Sequence, residues 1–209
     1  MDILYTDRDI LVCIKPHGIL STDEPGGLPE LVRAALQDPS ANIRTVHRLD
    51  RVVGGLMVLA RRSKAASELS RQIREGEFHK EYLAVLSGIP EAPSGELLDY
   101  LTRDPKERKT YVSPGPGPEA KEAILRYETL ATRDGMALVK IRLITGRTHQ
   151  IRCQFSSRGL ALAGDRKYGG PEAENIALWS HQISLRQPYS GESLTFTAPP
   201  PDAFPWNQF

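Results

Sequence analysis

Short apolar runs separated by polar turns set the rhythm of the chain. Ile3-Leu4-Tyr5 and Ile10-Leu11-Val12-Cys13-Ile14 flank Thr6-Asp7-Arg8-Asp9, which predicts two strands and a turn. Lys15-Pro16-His17-Gly18 breaks the second strand, and His17 reads as a loop histidine with a structural or solvent role rather than a substrate contact. Leu28, Leu31, Val32, Ala35 and Leu36 recur at helical spacing, so a helix is expected from Leu28 to Gln37, ended by Asp38-Pro39-Ser40. Leu56-Met57-Val58-Leu59-Ala60 is apolar throughout, as in a strand buried on both faces. A second helix is expected from a Ser63 cap to about Glu75, with Ala66, Leu69 and Ile73 on one face and Gly76 closing it.

Further strands are expected at Phe78 to Leu86, Leu97 to Leu101 and Thr110 to Val112, the last two around the charged turn Arg103 to Lys109. Ser113-Pro114-Gly115-Pro116-Gly117-Pro118 reads as an open loop, since proline lacks a donor and glycine adds chain entropy. Ala123 to Leu130 and Met136 to Ile144 alternate as a hairpin around Asp134-Gly135. A third helix is expected from Thr148 to Ser157, then closing strands at Ala177 to Leu185 and Ser193 to Thr197. Pro199-Pro200-Pro201 ends regular structure, and Phe204, Trp206 and Phe209 are expected to pack onto the body. Many strands with few helices make an α+β pattern on a mixed or antiparallel sheet.

At 209 residues the chain can build a sizeable core, as one domain or two closely joined halves. No apolar run reaches the ~20 residues of a membrane helix, and the first residues lack the features of a secretion signal. Cys13 and Cys153 form neither a disulfide framework nor a metal-type pair, so a cytoplasmic protein is expected. Net charge is only +1, yet it is unevenly placed. Arg44 to Lys80 holds nine Lys or Arg against four acids, and Lys140 to Tyr168 holds seven against one. Such windows suit phosphate contacts, Arg61 and Arg62 among them; the plainer reading is two solvated basic faces.

The chemistry concentrates in those windows. Asp50 stands in Thr45-Val46-His47-Arg48-Leu49-Asp50-Arg51, a lone carboxylate among cations, which keep it ionised and able to act as a nucleophile. Taken alone, such a group is more often a surface ion pair. A second stretch changes that balance: Thr145-Gly146-Arg147-Thr148-His149-Gln150-Ile151-Arg152. The two boxes, in this order, resemble those of the RluA-type pseudouridine synthases. That family carries His-Arg-Leu-Asp ahead of a Gly-Leu strand and Gly-Arg-Thr-His-Gln-(Ile/Leu)-Arg later. Lys80-Glu81-Tyr82-Leu83-Ala84 resembles its Lys-x-Tyr-x-Ala/Val strand, Lys15-Pro16-His17-Gly18 its Lys-Pro-x-Gly segment, and Gly164-Asp165-Arg166-Lys167-Tyr168-Gly169 its Gly-Asp-x-x-Tyr-Gly segment.

The resemblance covers about residues 3 to 198. It implies the pseudouridine synthase fold, a curved mixed or antiparallel sheet with flanking helices and a central active cleft. It also implies one catalytic domain over 1–209 without an accessory N-terminal RNA-binding domain. Asp50 is then the nucleophile, Tyr82 packs against the target uracil, and Arg152 pairs with Asp50 through a bidentate fork. His47, Arg48, Arg51, Arg147, Thr148 and His149 are expected to contact substrate RNA, with Arg147 and Thr148 at a helix start that favours an anion. Ribosomal or transfer RNA is the expected partner of a monomer that needs no cofactor, metal or membrane.

Two departures stand out: Val53-Gly54 where the family usually has Thr-Ser, and Cys153-Gln154 where it usually has Val-His. Val53-Gly54 alone motivates one alternative, an RNA-binding protein that kept the fold and lost catalysis. A metal-dependent phosphoesterase using His47, Asp50, His79 and His149 is the other. It lacks any i,i+4 or His-x-His ligand spacing.

Overall fold

The computed structural model describes residues 1–209. They divide into two compact units: Met1–Lys80 with Trp179–Pro199, and Glu81–Leu178 with Pro200–Phe209.

The first unit is built on a mixed sheet. β1 (Ile3–Thr6) and β2 (Ile10–Lys15) form the expected antiparallel pair. α1 (Leu28–Ala35) stops two residues short of the expected Gln37, which takes a positive φ of 54°. β3 is the two-residue Arg44–Thr45, too short to show a periodicity, and it pairs with β4 (Gly54–Ala60). β4 also runs antiparallel to β2, from Ile10 opposite Ala60 to Lys15 opposite Gly55. Pairing with neighbours on both sides explains why β4 is buried at every position and shows no alternation.

α2 spans Ser63–Glu75 and ends at Gly76 in the left-handed conformation, φ 73°. Ser63 is its first helical residue rather than the expected cap; Arg62 holds the cap position without a side-chain hydrogen bond. Ala65, Leu69 and Gln72 are buried, while Ala66 and Ile73 pack in part against the same core. Gln72 is admitted because its amide donates to Arg186 O at 2.8 Å and accepts from Arg186 N at 3.0 Å. Of the closing strands in this unit, β4 pairs in parallel with the start of β10 (Leu178–Arg186), and β10 pairs with β11 (Ser193–Thr197). Ile10, Val12, Leu56, Val58, Leu69, Ile183 and Leu185 lie at the centre of the core.

The second unit is an antiparallel sheet in the order β5-β9-β8-β6-β7. Its strands are β5 (His79–Leu86), β6 (Ser94–Asp104), β7 (Lys109–Ser113), β8 (Lys121–Arg133) and β9 (Met136–Leu143). The β8–β9 hairpin turns at Asp134 and Gly135, both at positive φ (49° and 76°), as a two-residue loop of matching twist requires. α3 is Gln150–Ser156, shorter at its start than expected. Trp206 and Phe209 pack against Val85, Ala163 and Ala177, as their apolar character led us to expect, whereas Phe204 is half exposed. No helix is long and apolar enough to cross a membrane.

Candidate active site

Asp50 belongs to the first unit and is half-buried in a tight turn, with Val53 N–H donating to Asp50 O at 2.9 Å. Three groups fix this turn. Ser21 Oγ donates to Leu49 O at 2.9 Å and accepts from Leu49 N at 3.1 Å, so one buried hydroxyl satisfies both backbone groups next to Asp50. Lys15 is fully buried at the end of β2, and its ammonium donates to Pro16 O (2.8 Å), Ile19 O (2.8 Å) and Arg51 O (3.2 Å). Arg51 Nε donates to Gly18 O at 2.8 Å, and Gly18 N–H returns a bond to Arg51 O. The Lys-Pro-His-Gly bend and the Asp50 turn are thereby sewn together.

Burial pushes Lys15 down to about 8, and the charge of Asp50 works against that shift. Three carbonyls and a nearby carboxylate are partners that only the ammonium fully satisfies. Ser21→Ala should strand two buried backbone groups and cost about 1–3 kcal/mol. At roughly 2–4 °C per kcal/mol for a chain of this size, thermal melting should show the loss as a lower midpoint.

His47, expected at the RNA, is 7% exposed, its ring sits 5.3 Å from that of Phe78, and its Nε2 accepts Val58 N–H at 3.0 Å. In the fold it ties the box to β4. Burial, then the charge of Lys80, pushes its pKa well below 6.5. The folded state therefore binds fewer protons than the unfolded state in mild acid, and stability is lost as pH falls below the unfolded value. From pH 6.5 to 5.5 this group should remove about 1 kcal/mol. Urea midpoints at the two pH values should show it, and His47→Gln should flatten the difference.

Arg48 and Arg51 are exposed. Arg61 and Arg62, counted among the cations suited to phosphate, brace the β1–β2 turn. Arg61 Nη1 donates to Asp7 O (2.8 Å) and Thr6 Oγ1 (3.0 Å), and Arg62 pairs with Asp9 at 3.4 Å.

The departure at Gly54 has a steric cause. A Cβ there would lie 2.6 Å from Trp179 Cζ3 and 2.9 Å from His17 Nε2, so the indole fills the space a serine would need. His17 is itself oriented by donating through Nδ1 to Val52 O at 2.8 Å.

In the second unit Tyr82 sits on β5 opposite Ile141 of β9 and is 4% exposed. Arg152 projects from α3 and is 4% exposed. Its Nε and Nη2 donate to Asp165 Oδ2 (2.7 Å) and Oδ1 (2.8 Å), a buried two-point fork. Its Cζ lies 5.1 Å from the centre of the Tyr168 ring. Tyr168 Oη accepts Thr110 N–H at 2.9 Å, donates to Thr110 O at 3.1 Å, and meets His149 Nδ1 at 3.0 Å. Burial above all raises the Tyr168 hydroxyl to about 12.

The helix start expected at Arg147 and Thr148 is corrected. His149 holds the cap position at φ 55°, and α3 is only seven residues long. The Gln150 side chain reaches back to accept from Arg147 N (3.0 Å) and Thr145 Oγ1 (2.9 Å), so those groups are satisfied internally and offer no anion site. Arg147 is exposed, with Nε on Glu122 O at 2.8 Å, and Thr148 O accepts from Thr110 Oγ1. The Cys153-Gln154 departure is also absorbed by packing. Cys153 joins Leu101, Ala123 and Tyr168 in a small core, and Gln154 donates to Leu97 O, Ala123 O and Asp99 Oδ2.

A strand-rich α+β chain with these two boxes matches the RNA pseudouridylate synthase family over residues 9–157, and the chain belongs to that family. It is accordingly an RNA pseudouridine synthase, an isomerase. Among its relatives, the dual-specificity RNA pseudouridine synthase RluA of Escherichia coli (strain K12) is 36% identical, over 94% of this chain and 92% of that protein. RluA of Haemophilus influenzae is 32% identical, over 95% of this chain and 92% of its own length. The human RNA Pseudouridylate Synthase Domain Containing 1 shares the fold at a TM-score of 0.83 and 22% identity, over 96% of this chain and 84% of that one.

Proposed function

We propose that the protein isomerises particular uridines of transfer or ribosomal RNA in the cytoplasm, as a monomer and a single catalytic domain, with Asp50 as nucleophile. The observation that carries this reading is the Asp50 turn. One carboxylate is offered half-buried, its flanking backbone pinned by Ser21, Lys15 and Arg51 so that its direction is set before substrate arrives.

The reaction breaks the bond from uracil N1 to the ribose, turns the base and joins its C5 to the same ribose carbon. The hydrogen on C5 is lost and N1 gains one, so the product is an isomer and no redox partner enters the balance. Asp50 supplies the nucleophile, Tyr82 lies against the freed base, and Arg152 supplies a guanidinium to the chemistry. A uridine in a stacked stem or loop must be flipped out to be reached. Arg48, Arg51 and Arg147 hold flanking phosphates, contacts that position RNA without reading its sequence.

Mapping pseudouridine in transfer and ribosomal RNA from cells with and without the protein tests the substrate class. Loss of defined sites in either RNA is the expected result. An unchanged map in both would refute this assignment of substrate.

A further inference from the structure

The buried ion pair of Arg152 has a partner to which nothing so far gives a part in the reaction. We propose that Asp165, backed by Tyr168, is a positioning residue for turnover: it sets the plane and rotation of the Arg152 guanidinium. The inference rests on the reading that Arg152 serves the nucleophile.

A guanidinium is planar, and its donors point along fixed directions in that plane. Asp165 takes Nε and Nη2 at 2.7 and 2.8 Å, which fixes the last torsions of the side chain. The Nη1 side then points away from Asp165 along one line. Tyr168 packs beside it, with Arg152 Cζ 5.1 Å from the ring centre, a cation–π contact that adds to the hold of the fork.

Both partners are themselves held. Asp165 N–H donates to Leu162 O, and Asp165 O accepts from Tyr168 N and Gly170 N. Gly164 before it has φ 75°, and a Cβ there would collide with Asn175 O, so the backbone approach that delivers Asp165 admits only glycine. The Tyr168 hydroxyl is anchored on both backbone groups of Thr110.

An ion pair this dry is poor evidence of a stability role, because desolvation offsets much of its attraction. Its fixed two-point geometry is what a site needs when one arginine must be aimed within a fraction of an ångström.

The test uses the full-length protein, single-turnover kinetics and RNA binding on one substrate RNA. Asp165→Glu keeps the charge but pushes the guanidinium by one methylene. It should lower the turnover rate about 10- to 100-fold while RNA affinity stays within about twofold. Asp165→Asn should do at least as much, and on an Arg152→Lys background it should cost little more, because the fork is already gone. Normal rates per folded molecule for Asp165→Glu, with only a lower melting midpoint, would overturn the proposal and leave Asp165 as fold support. The Arg152→Lys single variant separates the two failures. If it is slow while both Asp165 variants are normal, only the positioning claim falls. If all three turn over normally, the reading of Arg152 falls with it.

Discussion

Asp50→Asn should yield a folded protein that binds RNA and forms no detectable pseudouridine. The substitution keeps the shape of the side chain, and the turn is held by Asp50 O, Leu49 and Arg51 through contacts that do not use the carboxylate. Removing the nucleophile of an enzyme that works by covalent chemistry costs on the order of a million-fold in turnover. Lys15 retains three carbonyl partners in the variant, so the melting midpoint should stay close to that of the parent. Rapid-quench turnover and filter binding on the same RNA check both halves. The alternative of a binding protein that has lost catalysis expects no difference between parent and variant, because neither would turn over.

Arg152→Lys should lose most of its rate although the charge is kept. The native side chain makes a two-point contact with Asp165 in a site where Arg152 is 4% exposed, and an ammonium cannot reproduce that fork. Losing one charge-assisted contact from a dry site costs on the order of 2–4 kcal/mol of transition-state stabilisation, roughly 30- to 1,000-fold in turnover. RNA affinity should change several-fold at most. Single-turnover rates beside binding constants decide it. A variant that reacts normally but binds poorly would make Arg152 an RNA contact and remove it from the chemistry.

What was legible in the sequence followed from local periodicity and from motif. β11, the span of α2 and the Asp134-Gly135 hairpin were readable because their signals lie within a few residues of one another. The start of α3 was misplaced because Thr148 and His149 continue a plausible helix. The Gln150 side chain captures Arg147 N and Thr145 Oγ1, a choice that no spacing rule reveals.

The same holds for the site. Asp50, Tyr82 and Arg152 stood in recognisable boxes. Ser21 acts on Leu49 across 28 residues and Lys15 on Arg51 across 36, so their importance is a property of the folded chain. His47 and the arginines at 61 and 62 were drawn towards RNA by charge and neighbourhood. In the structure a backbone amide bonds the histidine, and both arginines bond the β1–β2 turn, contacts that no charge count reveals. Charge counting locates a basic window but does not show which of its cations are already spent on the fold.

Forming pseudouridine removes the hydrogen from uracil C5, so RNA carrying tritium at that position releases it to water once per event. Purified protein and its Asp50→Asn variant, each incubated with labelled transfer and ribosomal RNA, test the central claim directly. The account predicts stoichiometric release from at least one of these RNAs by the parent, and none by Asp50→Asn at matched RNA occupancy. Release by Asp50→Asn at the parent rate, or no release by the parent from either RNA, would contradict it.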